Sequence, residues 1–213
     1  MLQHHLTDAR TFPLDTLPRL TPAIAPESRV LHSVRKEDCN LAIWQRRPAH
    51  DWSALLTLEA RDIRFDAAAG AIAQPLAAAL VRNGFGAPAL HRAFTDDAVM
   101  LAELFGAITG ASGLQVRIEV VTTDSCCKFH ADYVTARLIT TYAGAGTQWL
   151  AHEDAERARS GAEPHRINQL ETGDVGIFRG RLWGEYPAIH RSPPIAGSGT
   201  RRLLLVLNPL ERA

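Results

Sequence analysis

The chain has 213 residues, 23 basic and 23 acidic side chains with zero formal net charge, and 46% hydrophobic content. A chain of that length buries a substantial core as one domain, and its balanced charge gives no overall field to favour nucleic acid or an anionic membrane. No apolar run approaches the ~18 residues of a membrane span, and no basic segment leads into an apolar one at the N-terminus, so a cytoplasmic protein is expected.

Residues 1–30 are rich in Pro, Thr and Leu and read as an irregular arm, with His4 and His5 solvated within it. Residues 31–113 read as mainly helical support. Asn40–Trp44 is their strand-like piece, and Asp51 is a plausible N-cap for a helix beginning at Trp52. A short helix over Gln74–Val81 stops at Asn83-Gly84. The longest helix is expected over Pro88–Thr109, where Leu90, Phe94, Leu101, Leu104, Phe105 and Ile108 form a stripe at helical spacing. His91 on that helix reads as a packing or surface residue.

After Gly113 the period changes from 3.6 to 2, with Leu114, Val116, Ile118 and Val120 on one face. Further strands are expected over 137–142, 147–150, 174–178, 188–190 and 201–207, with a charged short helix or loop over 151–168. Helices followed by strands predict an α+β fold: a double-stranded β-helix (jelly-roll, cupin-like) core over 114–208, with N-terminal helices packed outside, in a single domain spanning 1–213.

His130-Ala-Asp132 carries the chemistry. Alternate residues of a strand share a face, so this imidazole and carboxylate lie side by side. About half a His-x-Asp is expected by chance in such a composition, so the pair gains meaning only from company. It is two-thirds of a 2-His-1-carboxylate triad, a ligand set that suits non-haem Fe(II) and leaves open positions. His190 is the expected third ligand. The last apolar strand opens on Arg201-Arg202, and a buried guanidinium needs an anion to answer it. One of the two is expected to clamp a carboxylate bidentately. Arg201 shares parity with Leu203, Leu205 and Leu207 and is favoured; Arg202 shares parity with Leu204 and Val206 and stays open. Tyr133, Thr135 and Trp149 are local candidates to orient the imidazoles, and Trp183, Tyr186, Trp149 and Tyr133 are candidate walls of a substrate pocket. Cys126 and Cys127 face opposite sides of a strand and cannot both reach one ion, so thiols are expected. His152 and His165 are expected to be solvated.

The order His130-x-Asp132, His190, Arg201 resembles that of the Fe(II)/2-oxoglutarate-dependent dioxygenases. Gly173-Asp174-x-x-x-Phe178 and the tail His190…Pro193-Pro194…Gly197…Thr200-Arg201 are similar to that superfamily as well. Arg137–Tyr142, a glycine turn and Thr147-Gln-Trp149 resemble the strand pair after the acid ligand in prolyl-hydroxylase-type members. More closely, Cys127–Leu150 resembles a bacterial family designated domain of unknown function 1826, whose members tend to be encoded near zinc-responsive metallochaperones. The first resemblance implies Fe(II) on His130, Asp132 and His190. It also implies 2-oxoglutarate on Arg201 or Arg202, with Tyr142 as a second contact if its parity is inward, and hydroxylation of a small-molecule or peptide substrate. The second implies metal biology and an alternative: a zinc-binding protein of metal homeostasis, with Zn(II) on the same triad.

Overall fold

The computed structural model describes residues 20–210; residues 1–19 of the expected arm, His4 and His5 included, lie outside the described residues. Among the described residues there are ten strands: β1 Ala23–Ala25, β2 Leu41–Trp44, β3 Ile63–Ala68, β4 Gly113–Val121, β5 Ala136–Ala143, β6 Gln148–Trp149, β7 Asn168–Gln169, β8 Val175–Arg179, β9 His190–Arg191 and β10 Arg202–Pro209. The helices are α1 Ala73–Arg82, α2 Pro88–Thr109 and α3 His152–Arg159. A seven-stranded sheet runs β1-β2-β8-β5-β10-β4-β3, and a three-stranded sheet runs β7-β6-β9. All pairings are antiparallel except β1 with β2.

β10 organises the large sheet. Its run from Leu203 to Leu207 is apolar without alternation because both of its faces are covered. Leu203, Leu205 and Leu207 pack with Phe94, Leu101 and Phe105 of α2 in the larger core. Leu204 and Val206 face the other way and meet Trp149 of the small sheet in a second core. The large sheet is therefore the middle layer, with helices on one side and the small sheet on the other. β4 is two-faced in the same sense: Leu114, Val116 and Ile118 are fully buried on the helix side, while Arg117 and Glu119 face the space between the sheets. α2 starts at Pro88, whose fixed φ suits a first turn, and stops at Gly110, whose φ of 72° is the left-handed conformation glycine adopts without strain.

Two expectations need correction. Residues 31–113 carry α1 and α2 but also supply β2 and β3, so the sheet is not confined to the C-terminal half. β3 carries a short alternation, Ile63, Phe65 and Ala67 inward, and pairs with β4 from Ile63↔Ile118 to Ala68↔Gly113. The helix expected at Asp51 is a single 3-10 turn, Trp52–Leu55, in which Asp51 accepts from Ser53 N at 3.0 Å. The charged segment does form a helix, α3.

Where α2 meets β5, Asp97 receives Arg46 Nη1 at 2.6 Å, Arg46 Nη2 at 2.9 Å and the Tyr142 hydroxyl at 2.6 Å. Burial first, and the Asp97 charge second, hold the Tyr142 hydroxyl pKa well above its ordinary value, so it stays a donor. Asp97→Ala leaves both donors without an acceptor. The expected result is a loss of about 2–3 kcal/mol, read as a fall of roughly 5–10 °C in Tm. Tyr142→Phe should lower Tm less, because the Arg46–Asp97 pair survives. An unchanged Tm in Asp97→Ala would show that this network adds nothing to stability.

Candidate metal centre

Backbone pairing brings the two histidines together. His130 N donates to His190 O and His190 N to His130 O, each at 3.0 Å, an isolated antiparallel bridge. Directly opposed residues project from the same face, and the two ring centroids lie 4.9 Å apart. Asp132, two residues on, returns to that face. His190 Nε2 is 3.1 Å from Asp132 Oδ2 and His130 Nε2 is 3.4 Å from Asp132 Oδ1. One ligand-type atom from each of the three residues lies within 4.8 Å of the others, and they form the one group of this kind among the described residues.

The outer side of each ring fixes its inner side. His130 Nδ1 lies 2.8 Å from Lys128 O and His190 Nδ1 3.3 Å from Ala188 O. A carbonyl can only accept, so each ring carries a proton on Nδ1 and turns Nε2 inward, where it is a lone pair in the neutral ring and a donor to Asp132 in the protonated one. Phe178, with its centroid 4.7 Å from that of His190, packs the ring in place. Asp132 is 8% exposed, and its Oδ2 is buried with no hydrogen-bond donor beyond a protonated His190 Nε2. Burial alone would raise its pKa; hydrogen bonds from both histidines and the charges of His190 and Arg137 outweigh it and hold the carboxyl well below the usual range. The same carboxylate raises His130's pKa, with burial opposing. Two inward nitrogens and an orphaned carboxylate oxygen, all unprotonated at neutral pH when a cation replaces the shared proton, fit a divalent ion of borderline hardness.

The centre opens into a cavity of about 430 Å³ between the two sheets, with Arg117, Glu119, Arg137, Ser192, Leu204 and Val206 among its walls. Arg202 lies on the same face of β10 as Leu204 and Val206. It is wholly buried: Nε donates to Ala145 O at 2.6 Å, Nη1 to Ser192 Oγ at 2.9 Å, and Nη2 has no partner. Burial pushes its pKa down to about 10, with Glu119 offsetting, so it remains a cation. No carboxylate touches it among the hydrogen bonds and ion pairs of the described residues.

The favoured arginine is therefore corrected. Arg201 points the other way and caps Thr57 O at 2.7 Å; leucine parity could not decide because both faces of β10 are buried. Tyr142 is also outside the cavity, on the helix side with Asp97, Trp52 and Phe94. Trp149 pairs with His190 across β6 and β9 and packs in the inter-sheet core, supporting the centre from beneath. Tyr133 is 77% exposed. Trp183 lies under the Arg179 guanidinium at 5.0 Å, and Tyr186 stands edge-on to His152 at 6.3 Å; none of these three is a wall of the cavity at the metal centre. Thr135 gives its carbonyl to Gly180 N and touches neither imidazole by a hydrogen bond. Cys126 is exposed on the cavity rim and Cys127 half-buried, and neither joins the His130–Asp132–His190 group, nor do His152 and His165.

Arg137 and Ser192 escaped the sequence reading. Arg137 Nη1 lies 2.6 Å from Asp132 Oδ1. An arginine inside the β-branched run 136–143 raises the same question of an answering charge that Arg201-Arg202 does, and that was the available signal.

Two packed sheets, with paired histidines and an acid beside the space between them, define an α+β protein with a large, mainly antiparallel sheet and a candidate metal centre. The structure aligns with dioxygenase for auxin oxidation 1 from Arabidopsis thaliana, solved as a 2-oxoglutarate binary complex, at TM-score 0.51 and 8% identity over 91% of this chain and 93% of that one. It also aligns with a Pseudomonas putida prolyl-4-hydroxylase at TM-score 0.44 and 16% identity, over 87% and 98%. The chain belongs to the family described as protein of unknown function, DUF1826, whose profile matches residues 25–208. No curated protein matches it. No helix among the described residues is long and apolar enough to cross a membrane.

Proposed function

We propose that the protein is an Fe(II)- and 2-oxoglutarate-dependent oxygenase that hydroxylates a small-molecule or peptide substrate. In this reading His130 Nε2, Asp132 Oδ2 and His190 Nε2 hold the iron, and Arg202 binds the distal carboxylate of the keto acid. The observation that carries it is Arg202: a buried guanidinium with a free N–H, no acid partner, and a place on the cavity face of β10. Leaving such a charge unanswered is expensive, and a carboxylate ligand answers it. A zinc protein on the same triad gives Arg202 nothing to do. Iron bound there would supply dioxygen activation coupled to oxidative decarboxylation of 2-oxoglutarate.

The protein's own contribution is orientation. Ser192 and Ala145 fix the guanidinium, so the keto acid enters in one direction, distal end at Arg202 and keto end at the triad. Thr141, fully buried with an unpartnered hydroxyl, lies next to Leu204 across the β5–β10 pair and is placed by alternation on the same face; it serves as the second contact first sought in Tyr142. Leu204 and Val206 keep the wall beside the keto acid dry, which strengthens each charged contact.

Anaerobic protein loaded with Fe(II) should develop the visible absorption band of a chelated keto acid on titration with 2-oxoglutarate, saturating at one equivalent. Stoichiometric zinc that resists exchange by Fe(II), with no response to 2-oxoglutarate, would instead establish the zinc-binding alternative.

A further inference from the structure

Asp132 has two carboxylate oxygens, and the structure treats them differently. Oδ2 is the orphaned one beside His190. Oδ1 lies 2.6 Å from Arg137 Nη1 in an ion pair, with the two side chains 17% and 8% exposed. Arg137 is itself held: its Nε donates to Asn208 Oδ1 at 2.8 Å, and Asn208 Nδ2 donates to Gln115 Oε1 at 3.2 Å. A ladder across β5, β10 and β4 thus fixes a guanidinium against one face of the acid, and rotating the carboxylate would break a close ion pair.

From this we infer that Arg137 is a positioning residue that restricts Asp132 to a single coordinating oxygen, Oδ2. The inference rests on the reading of the triad as a metal centre and says how that centre keeps room for its ligands. A carboxylate free to turn binds a divalent ion through one oxygen or two, and the second oxygen occupies a position a co-substrate needs. With Oδ1 committed to Arg137, two nitrogens and one oxygen leave about three of the six octahedral positions open, enough for a bidentate keto acid and one further ligand. The pairing also spreads part of the carboxylate's charge onto the guanidinium, so the ion keeps more of its positive character.

Mn(II) is the probe, because its effect on water-proton relaxation reports how many exchangeable waters it carries. Wild-type protein and Arg137→Lys should show about three waters on bound Mn(II), and Arg137→Leu about two, a drop of roughly one third in relaxivity per bound ion. Asn208→Ala keeps the guanidinium but removes its clamp, and should move relaxivity in the same direction by less. This second variant decides the question if Arg137→Leu does not fold. Relaxivity per bound ion equal to wild type in the folded variants overturns the inference while leaving the metal centre intact. Failure of the wild-type protein to bind Mn(II) stoichiometrically overturns both.

Discussion

Arg202→Met is expected to weaken 2-oxoglutarate binding to the Fe(II)-loaded protein by about two to three orders of magnitude, while metal content and Tm stay close to wild type. The size follows from truncating one partner of a desolvated charge pair, about 3–4 kcal/mol at about 1.4 kcal/mol per tenfold. The near-constant Tm follows from two opposed effects. Methionine removes a buried cation that no acid answers in the free protein, which favours folding. It also strips donors from Ala145 O and Ser192 Oγ, which costs about 1–3 kcal/mol. Arg201→Met is the matched control, since Arg201 spends its hydrogen bonds on the 56–57 carbonyls outside the cavity. Titration of the three proteins with 2-oxoglutarate under anaerobic conditions checks the expectation. Equal affinity in Arg202→Met and wild type removes Arg202 from the co-substrate site, and a loss in Arg201→Met would restore the parity argument that the structure overturns.

How far the sequence reaches depends on how long each pattern persists and how many faces it has. α2 was legible to the residue because a 22-residue stripe ends in Pro and Gly signals. β4 was legible because one face is apolar and the other charged. His130 and Asp132 do share a face as alternation implies, although His130 forms an isolated bridge and Asp132 lies in no strand; His190 was reached from its chemistry on a later strand, although β9 is only two residues long and exists by pairing with β6 rather than by its own propensity. β3 was missed: six residues with two large apolar side chains give a weak alternation, and its partner lies some fifty residues away. The arginine choice failed for a different reason. In a middle layer both faces of a strand are apolar, so parity separates residues into two sets without saying which set faces the ligand. Tyr142 was misplaced by the same ambiguity on β5.

Asp132→Ala should abolish stoichiometric metal binding, with affinity for Fe(II) or Mn(II) reduced more than about 100-fold. Removing groups that merely orient a ligand costs about 10–100-fold, and in the proposed centre Asp132 is both a ligand and the one negative charge within the triad. Its loss also turns Arg137 from a paired side chain into an unpaired cation beside the ion, so electrostatic repulsion replaces attraction. Asp132→Asn should fare little better. The amide keeps the shape but contributes no charge, and its NH₂, wherever it faces Arg137, sets donor against donor. In the metal-free protein, Asp132→Ala leaves the guanidinium without its counter-charge and should lower stability by about 1–3 kcal/mol. Arg137→Leu/Asp132→Ala together should recover part of that loss, because neither charge is then left alone. Elemental analysis after dialysis reads the first effect and urea denaturation of the apo forms the second. Full metal occupancy in Asp132→Ala would place the ion elsewhere, and a double variant no more stable than Asp132→Ala would mean that the 2.6 Å contact carries no coupling.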